Sequence, residues 1–449
     1  MPTIEPASTS SARPGTLALI LALVGAASML YYHLGLFMPE VRRASEARHL
    51  AGKYSFGDDF YPIWLTTREW HQNHSDPYSS ELTREIQIGL FGRALDSRLP
   101  GDPPSDYRTF AYPAYTDLLF WPASEISFPV FRFAWSALLT VLVMATVVFW
   151  ARALSWRLSA ISLAIMVLLV ICSYQELEGL YAGQLGLLVG FLLAASLLAL
   201  MRNRLWLAGA TMALAMIKPQ MVLLALAYLF LWSISNWRRH GRFVVAFTAM
   251  LSLLMASSIA VWPRWIQSWL RVVRGYPHYW TPPLASEILG ATVRSLVGTP
   301  LVAVLLIAAL AVAWRGRNAV AGSYEFWLTL SVLLALTTLT LLPGQSVCDH
   351  IILLPGIFLV AGKRDRLASV PALKALLLTG FAIILWPWIA AFSLIVLRPV
   401  LGHNVFYSKA LFVLPLRTAA AFPFVVLGAL ILALRHAHDL AETSSASPA

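Results

Sequence analysis

Charged residues are scarce in this chain: they make up 12% of its 449 residues, whereas a soluble domain carries about a quarter. Hydrophobic residues make up 59%, and the mean hydropathy is +0.70. This composition excludes an ordinary soluble enzyme. Cysteine is scarcer still, since Cys172 and Cys348 are the only two. Two cysteines alone build neither a disulfide framework nor a zinc site, so both of those protein classes are excluded as well.

Acidic residues are also few: 22 Asp and Glu stand against 33 Lys and Arg, which gives a formal net charge of +11. On a soluble protein this excess would favour a nucleic-acid partner, but here the charges cluster between long apolar runs, the pattern of a membrane protein. The sequence therefore predicts an all-α, polytopic integral membrane protein and no nucleic-acid partner. About twelve apolar runs are candidate transmembrane helices: 16–37, 129–151, 158–173, 183–201, 205–217, 219–235, 243–261, 297–313, 325–342, 349–361, 371–397 and 411–434.

The short connectors predict the orientation. Most basic residues outside 38–127 lie in a few of these connectors: 152–157, 201–204, 237–242, 314–317, 362–366 and Arg435. Because basic connectors stay in the cytoplasm, we expect both termini there and a multi-pass location in the cell inner (plasma) membrane. Residues 16–436 then form a single membrane domain, between flexible tails at 1–15 and 437–449.

The stretch 205–235 must cross the membrane twice, because both of its flanks are basic. The chain must therefore turn back near Lys218-Pro219. Each half has about 13 to 17 residues, or about 20 to 25 Å of helix, which is shorter than the ~30 Å hydrocarbon core. Lys218 is thus predicted to lie below the membrane surface, where an ammonium group needs water, a counter-charge or a ligand.

One long loop stands out among the connectors. Residues 38–127 hold 13 of the 22 acidic residues and nine basic ones. Since long loops are translocated regardless of their charge, this loop is predicted to be extracytoplasmic. The cytoplasmic turns are too short to build a site, so we expect any chemistry on the extracytoplasmic side.

Within this loop, Asp58 and Asp59 precede a segment with helical spacing, from Phe60 to His71. Such a helix would lie along the membrane interface. Two interpretations of the aspartates are open. Carboxylates at a helix N-terminus commonly cap it, whereas one at the membrane surface could also act as a general base.

Other polar residues interrupt the apolar runs. Gln184 begins one run and Gln220 follows Lys218, so either amide could be a satisfied structural group or part of a polar pocket. Arg417 lies inside the last run, where an arginine is a functional candidate or a partner of a carboxylate or backbone carbonyls. Asp349 and His350 cap another turn, but two ligands are too few to predict a metal.

A strip of tryptophans runs through 262–269, with Arg264 beside it. An aromatic belt that anchors an interfacial helix explains this pattern well. A platform for a lipid headgroup or a sugar is the alternative.

Five short motifs, in order, resemble the integral-membrane glycosyltransferases of family 87, a branch of the GT-C superfamily. They are Asp59-Phe60-Tyr61, Asp76-Pro77-Tyr78, Phe110-Ala111-Tyr112-Pro113, Gly183-Gln184 and Lys218-Pro219-Gln220. The resemblance covers roughly residues 55–355. Ala114 departs from the pattern, since a second proline is common there, and Arg417 lies beyond the resemblance.

The resemblance implies transfer of a sugar, most often mannose, from a polyprenyl-phosphate-linked donor to a hydroxyl of a lipid or envelope glycan, with inversion. Asp59 matches the family's acidic residue best, and Asp58 is the substitute. Lys218 would meet the donor phosphate, and we expect the same of Arg417. A monophosphate donor does not demand a metal bridge, so no metal or cofactor is expected. The residues expected to line the substrate site are Gln184, Gln220, Tyr61, Tyr112 and His350.

Two alternative functions are also compatible with the sequence. A transporter or lipid flippase would explain the many helices and the buried cations, but not one long acidic loop opposite uniformly short turns, and no broken-helix pattern repeats in two halves. A non-catalytic envelope assembly factor is the other alternative.

Overall fold

A computed structural model of the protein describes residues 15–50, 52–96, 98–99, 102, 107–275, 281–362 and 371–435. The expected tails at 1–15 and 437–449 lie outside these ranges, apart from Gly15. Over the described ranges the chain is helical, and it contains no β-strand. The first half consists of α1 (Thr16–Leu30), a π-helical segment (Tyr31–Phe37), α2 (Met38–Glu46), α3 (Tyr61–Asn73), α4 (Ser80–Phe91), α5 (Tyr115–Ser124), α6 (Phe128–Ala153), α7 (Ala160–Ile171), α8 (Tyr174–Ala182), α9 (Leu185–Met201) and α10 (Leu205–Leu214).

The second half begins after a turn at Lys218. It consists of α11 (Leu223–Ser235), α12 (Trp237–Val261), α13 (Trp265–Gly275), α14 (Leu284–Glu287), α15 (Gly290–Val293), α16 (Thr299–Arg315), α17 (Tyr324–Thr340), α18 (Leu354–Gly362), α19 (Pro371–Leu397), α20 (His403–Phe406), α21 (Lys409–Phe412) and α22 (Phe422–Arg435).

Several of these helices are long and apolar enough to cross a membrane, which agrees with a membrane-embedded protein. Each of the twelve predicted runs contains a helix. Among the described residues, five continuous helical stretches are long and apolar enough to span a membrane. The number is six if α7 and α8, which are bent by 60° relative to each other, count as one span. The others are shorter apolar helices. The helix over the aromatic segment after Asp59 forms as predicted, since α3 covers Tyr61–Asn73.

The chain turns back at Lys218, as the charge pattern predicts. Helix α10 ends at Leu214, and two 3₁₀ turns flank Lys218 before α11 begins at Leu223. Gly209 in α10 packs against the backbone of Phe243 in α12, and Phe230 in α11 packs against the Phe243 ring. Residues before and after the turn therefore pack against the same residue of α12, so the chain reverses direction between α10 and α11.

The last predicted run, 411–434, is wrong as a single helix. A 3₁₀ turn at Leu414–Leu416 separates α21 from α22, which begins only at Phe422. Pro415 lies in this turn, and a proline supplies no backbone N–H to continue a helix. Arg417 therefore lies on exposed, non-helical chain rather than inside a helix.

The described residues form two principal hydrophobic cores. The main core joins α3, α5, α6, the helices from α8 to α14, those from α16 to α19, and α22. A second core packs α1 against α19, and Tyr32 binds the Phe412 carbonyl oxygen through its hydroxyl group, at 2.6 Å. Arg417 neighbours this second core.

Candidate functional site

The loop that carries the two aspartates is held against the end of α8. The Gly57 N–H donates to the Tyr181 carbonyl oxygen at 2.8 Å, and the Asp59 N–H donates to that of Ala182 at 3.1 Å. Gly183 then ends α8 with φ +75°, in the left-handed region that favours glycine. The Trp135 indole N–H fixes this residue by donating to its carbonyl oxygen at 2.9 Å. Backbone contacts thus place Asp59 beside Gln184.

Asp58 and Asp59 share one cation, Arg108. Its Nη1 contacts Asp59 Oδ1, and its Nη2 lies 3.2 Å from Asp58 Oδ2. Asp58 Oδ2 also accepts a hydrogen bond from the Tyr54 N–H at 3.1 Å. Neither aspartate caps α3, whose N-terminus has no side-chain cap. The capping interpretation is therefore wrong, because both carboxylates turn towards Arg108 instead.

The two carboxyl groups differ in access. The Asp59 side chain is 25% exposed, whereas that of Asp58 is only 5% exposed. Gln184 Nε2 donates to Asp59 Oδ2, so this carboxylate is oriented from two sides and still open to a reactant. The buried Gln184 Oε1 has no hydrogen-bond partner among the described residues.

Lys218 forms a second buried ion pair. Its ammonium lies 2.7 Å from each carboxylate oxygen of Asp349. The Lys218 side chain is 8% exposed and that of Asp349 is fully buried. The counter-charge that a submerged lysine needs is therefore supplied by the protein itself.

The two ion pairs meet at the first turn of α9. Gln184 is the N-cap residue of this helix and contacts Asp59. Two residues later, Gly186 lies against both Asp349 Oδ1 and Lys218 Nζ. Asp349 is also close enough to Asp59 for their carboxylates to interact electrostatically. Asp59 and Lys218 thus converge on one place, on the same side of the molecule.

The segment 110–115 forms one wall of this place. Tyr78 of the Asp76-Pro77-Tyr78 turn donates its hydroxyl to the Tyr112 carbonyl oxygen at 2.8 Å. The Trp269 indole donates to the Ala111 carbonyl oxygen at 2.9 Å, and Tyr112 interacts electrostatically with Lys218. These contacts join the Asp76-Pro77-Tyr78 turn and the segment 110–115 to Lys218.

The tryptophan strip is only partly an interfacial belt. Trp265 is 1% exposed and packs within the main core, and the half-buried Trp269 points towards the segment 110–115. These two residues therefore support the site wall rather than anchor α13 at a surface.

No described hydrogen bond or ion pair joins Asp59 to the other expected site residues. Gln220 is half-buried in the turn directly after Lys218. His350 is buried beside Asp349, and its Nδ1 has no partner among the described residues. Tyr61 packs on Phe128 at the start of α3, with ring centroids 4.9 Å apart. Arg417 lies apart, by the second core, and its described contact is with the Ala410 carbonyl oxygen.

The sequence alone does not predict two of the ion-pair partners at the site. Arg108 is 49 residues from Asp59, and Asp349 is 131 residues from Lys218. The charge requirement of a submerged lysine was a general signal for a partner such as Asp349. No local pattern pointed to Arg108.

The environment of Asp58 predicts a pH effect on stability. Burial and next the Asp59 carboxylate raise the pKa of the Asp58 carboxyl from 3.8 to about 7, against the opposing effect of Arg108. The folded protein therefore holds this proton more tightly than the unfolded chain, so its stabilising effect is present at low pH and is lost as the pH rises through about 7. We expect the melting temperature of the wild type to fall relative to that of Asp58→Asn between about pH 5 and pH 8. Parallel melting curves for the two proteins would contradict this.

Gly186 is predicted to be intolerant of a side chain. A methyl group there would lie 2.0 Å from Asp349 Oδ1, and the fully buried carboxylate has little room to move. We expect Gly186→Ala to lower stability by about 1–3 kcal/mol through overpacking, and to reduce activity by disturbing the Lys218–Asp349 pair. Gly428→Ala is the control, because its methyl group would make an ordinary 3.7 Å contact with Leu376. Equal thermal stability of both variants would show that this packing is not tight.

The chain was compared with protein-family models, curated proteins and solved structures. The model of glycosyltransferase family 87 matches residues 110–343, which is more than half of the chain. This range includes Gln184, Lys218 and Gln220, but ends before Asp349 and begins after Asp59. No curated protein and no solved structure matches the chain.

Proposed function

Since this chain belongs to glycosyltransferase family 87 and is a glycosyltransferase, we propose that it transfers a sugar from a polyprenyl-phosphate-linked donor to a hydroxyl of a lipid or envelope glycan. The observation that carries this proposal is the convergence of an accessible carboxylate, Asp59, with the buried Lys218–Asp349 pair at the start of α9. A hydroxyl acceptor needs a base, and a departing phosphate needs a cation or oriented donors.

In this proposal Asp59 is the general base. It removes the proton from the acceptor hydroxyl while the acceptor oxygen bonds to the anomeric carbon and the bond from that carbon to the phosphate oxygen breaks. The configuration at the anomeric carbon is then inverted. The greater exposure of Asp59 favours it over Asp58, which stays the substitute. Arg108 and Gln184 both contact the carboxylate and orient it.

The nearly buried Lys218 is proposed to interact with the donor phosphate. Asp349 holds it in place and balances its charge while no donor is bound. The positive charge of Lys218 then stabilises mainly the negative charge that develops on the phosphate in the transition state. This stabilisation accelerates transfer.

The remaining expected residues are proposed to line the substrate site. Gln184 and Gln220 would supply amide groups, and Tyr61, Tyr112 and His350 would complete the lining. His350 and Gln184 each have a buried polar atom without a partner among the described residues, which supports a role in binding. Arg417 is proposed to bind a phosphate at a separate position.

The proposed membrane arrangement follows the charge pattern. About twelve crossings in a GT-C-like architecture would place both termini in the cytoplasm and the Asp59 site on the extracytoplasmic side of the cell inner membrane. A lipid-linked donor explains why this site lies among membrane helices. Mannose is the proposed sugar, because it is the commonest in the family.

The experiment that tests the proposal is an analysis of envelope glycolipids in a strain lacking the gene. We expect one glycolipid or glycan to lose a sugar residue and a shorter precursor to accumulate. The missing structure then identifies both the sugar and the acceptor. An unchanged glycolipid and glycan profile, in a strain where complementation restores the protein, would contradict the proposal.

A further inference from the structure

Within the described residues, several cations of the C-terminal part have no acidic partner. From residue 366 to residue 438 the sequence contains no Asp or Glu. Over the same stretch the described part includes Lys374, Arg398, Lys409 and Arg417. None of these residues forms a salt bridge with a described residue. No described carboxylate therefore balances their charges.

The chain returns from the end of α19 through a broken helix. Val425 of α22 packs at Gly380 of α19, and Gly428 packs at Leu376, so the two helices run antiparallel. Helix α22 has 14 residues, about 21 Å, and covers only part of a ~30 Å membrane core. Residues 398–421 return alongside the rest of α19 with two four-residue helices and a 3₁₀ turn.

Arg417 lies far from the end of α19. The Trp386 indole donates to the Leu414 carbonyl oxygen at 2.9 Å, and the Thr418 hydroxyl donates to that of Ile383 at 3.4 Å. These two α19 residues are about 16 to 21 Å along the helix from Leu397, which is about half to two-thirds of the thickness of a ~30 Å membrane core. Arg417 is therefore an exposed cation at membrane depth.

An open cleft lies beside this broken segment. Its volume is about 540 Å³, and it is lined by Lys409, Ala410, Val413, Leu416 and Arg417. Arg417 Nη2 lies 3.4 Å from the Ala410 carbonyl oxygen, so the guanidinium borders the cleft. Irregular backbone at membrane depth persists only where it is buried in protein or lines a polar cavity, and charges there are costly without a partner.

We propose that this cleft binds the phosphate group of a lipid. Lys409 and Arg417 supply two positive charges, and a guanidinium pairs with two phosphate oxygens at once. The apolar wall of Val413 and Leu416 suits the adjoining lipid chain. A polyprenyl phosphate and a membrane phospholipid share this chemistry. The site is separate from Asp59, and no described contact joins the two.

The test uses the full-length enzyme in detergent, with decaprenyl phosphate and phosphatidylglycerol as probes and native mass spectrometry as the readout. We expect the double variant Lys409→Gln/Arg417→Gln to bind one of the two probes at least about tenfold more weakly than the wild type. The probe that is affected identifies the source of the phosphate. The control Lys374→Gln/Arg398→Gln removes two cations of the same segment outside the cleft and should bind like the wild type.

Two further measurements keep the inference independent of folding and of catalysis. Lys409→Arg/Arg417→Lys keeps both charges and should retain binding, and a photoactivatable lipid phosphate should crosslink to residues 409–417 of the wild type. Asp59→Asn should bind both probes normally, so failure of the catalytic proposal leaves this one standing. Equal affinity of the wild type and the glutamine double variant for both probes, or crosslinks found only elsewhere, would overturn it.

Discussion

Asp59→Asn is expected to lower the rate of sugar transfer by about 10²- to 10⁴-fold, the range for loss of a general base. Asparagine keeps the size of the side chain and can still accept from Gln184, and Arg108 keeps its contact with Asp58. The variant should therefore fold and bind donor as the wild type does. The measurement is transfer by purified enzyme, alongside its melting temperature and its affinity for the donor.

Asp58→Asn is the matched control for this variant. Asp58 is nearly buried and shares Arg108, so its loss should alter the environment of Asp59 and reduce transfer less. If Asp58→Asn is the more damaging variant, the two roles are exchanged. Unchanged transfer in both variants would end the assignment of a catalytic aspartate to this loop.

Breaking the Lys218–Asp349 pair should have the largest effect on stability. Removing one member leaves an uncompensated buried charge, so Lys218→Met and Asp349→Leu are each expected to destabilise the protein by about 3–5 kcal/mol. The double variant Lys218→Met/Asp349→Leu removes both charges and should recover most of that stability. Thermal unfolding of the three variants measures this.

Activity separates the structural role of Lys218 from its proposed chemical role. If Lys218 stabilises the donor phosphate, the double variant should fold well and still transfer sugar at least about 10²-fold more slowly than the wild type. If transfer returns together with stability, Lys218 serves only to hold the fold, and the proposed phosphate contact is wrong.

Much of this fold follows from local sequence patterns. Apolar runs predict where helices form, because each run reflects burial or lipid contact of a single segment. Basic flanks predict the reversal at Lys218, since they restrict the number of crossings between them. The interruption near Arg417 was missed, because mean hydropathy responds little to one proline and one arginine in an apolar run.

The site was harder to predict, since its contacts join distant segments. The motif order brought Asp59, Gln184 and Lys218 to attention, and the structure places them around the first turn of α9. The choice of ion-pair partners depends on how α8, α9 and the 3₁₀ turn that carries Asp349 pack against one another. No spacing rule encodes the Arg108 contact with Asp59, because α3, α4 and the non-helical chain around them separate the two residues.

The most direct measurement of the central claim is the stereochemistry of one transfer reaction. Purified enzyme would receive a polyprenyl-phosphate sugar of known anomeric configuration and its lipid acceptor, and NMR would give the configuration of the new glycosidic bond. We predict inversion, because a base at Asp59 activates the acceptor for a single displacement of the phosphate. Retention would require a different mechanism and would contradict the role assigned to Asp59.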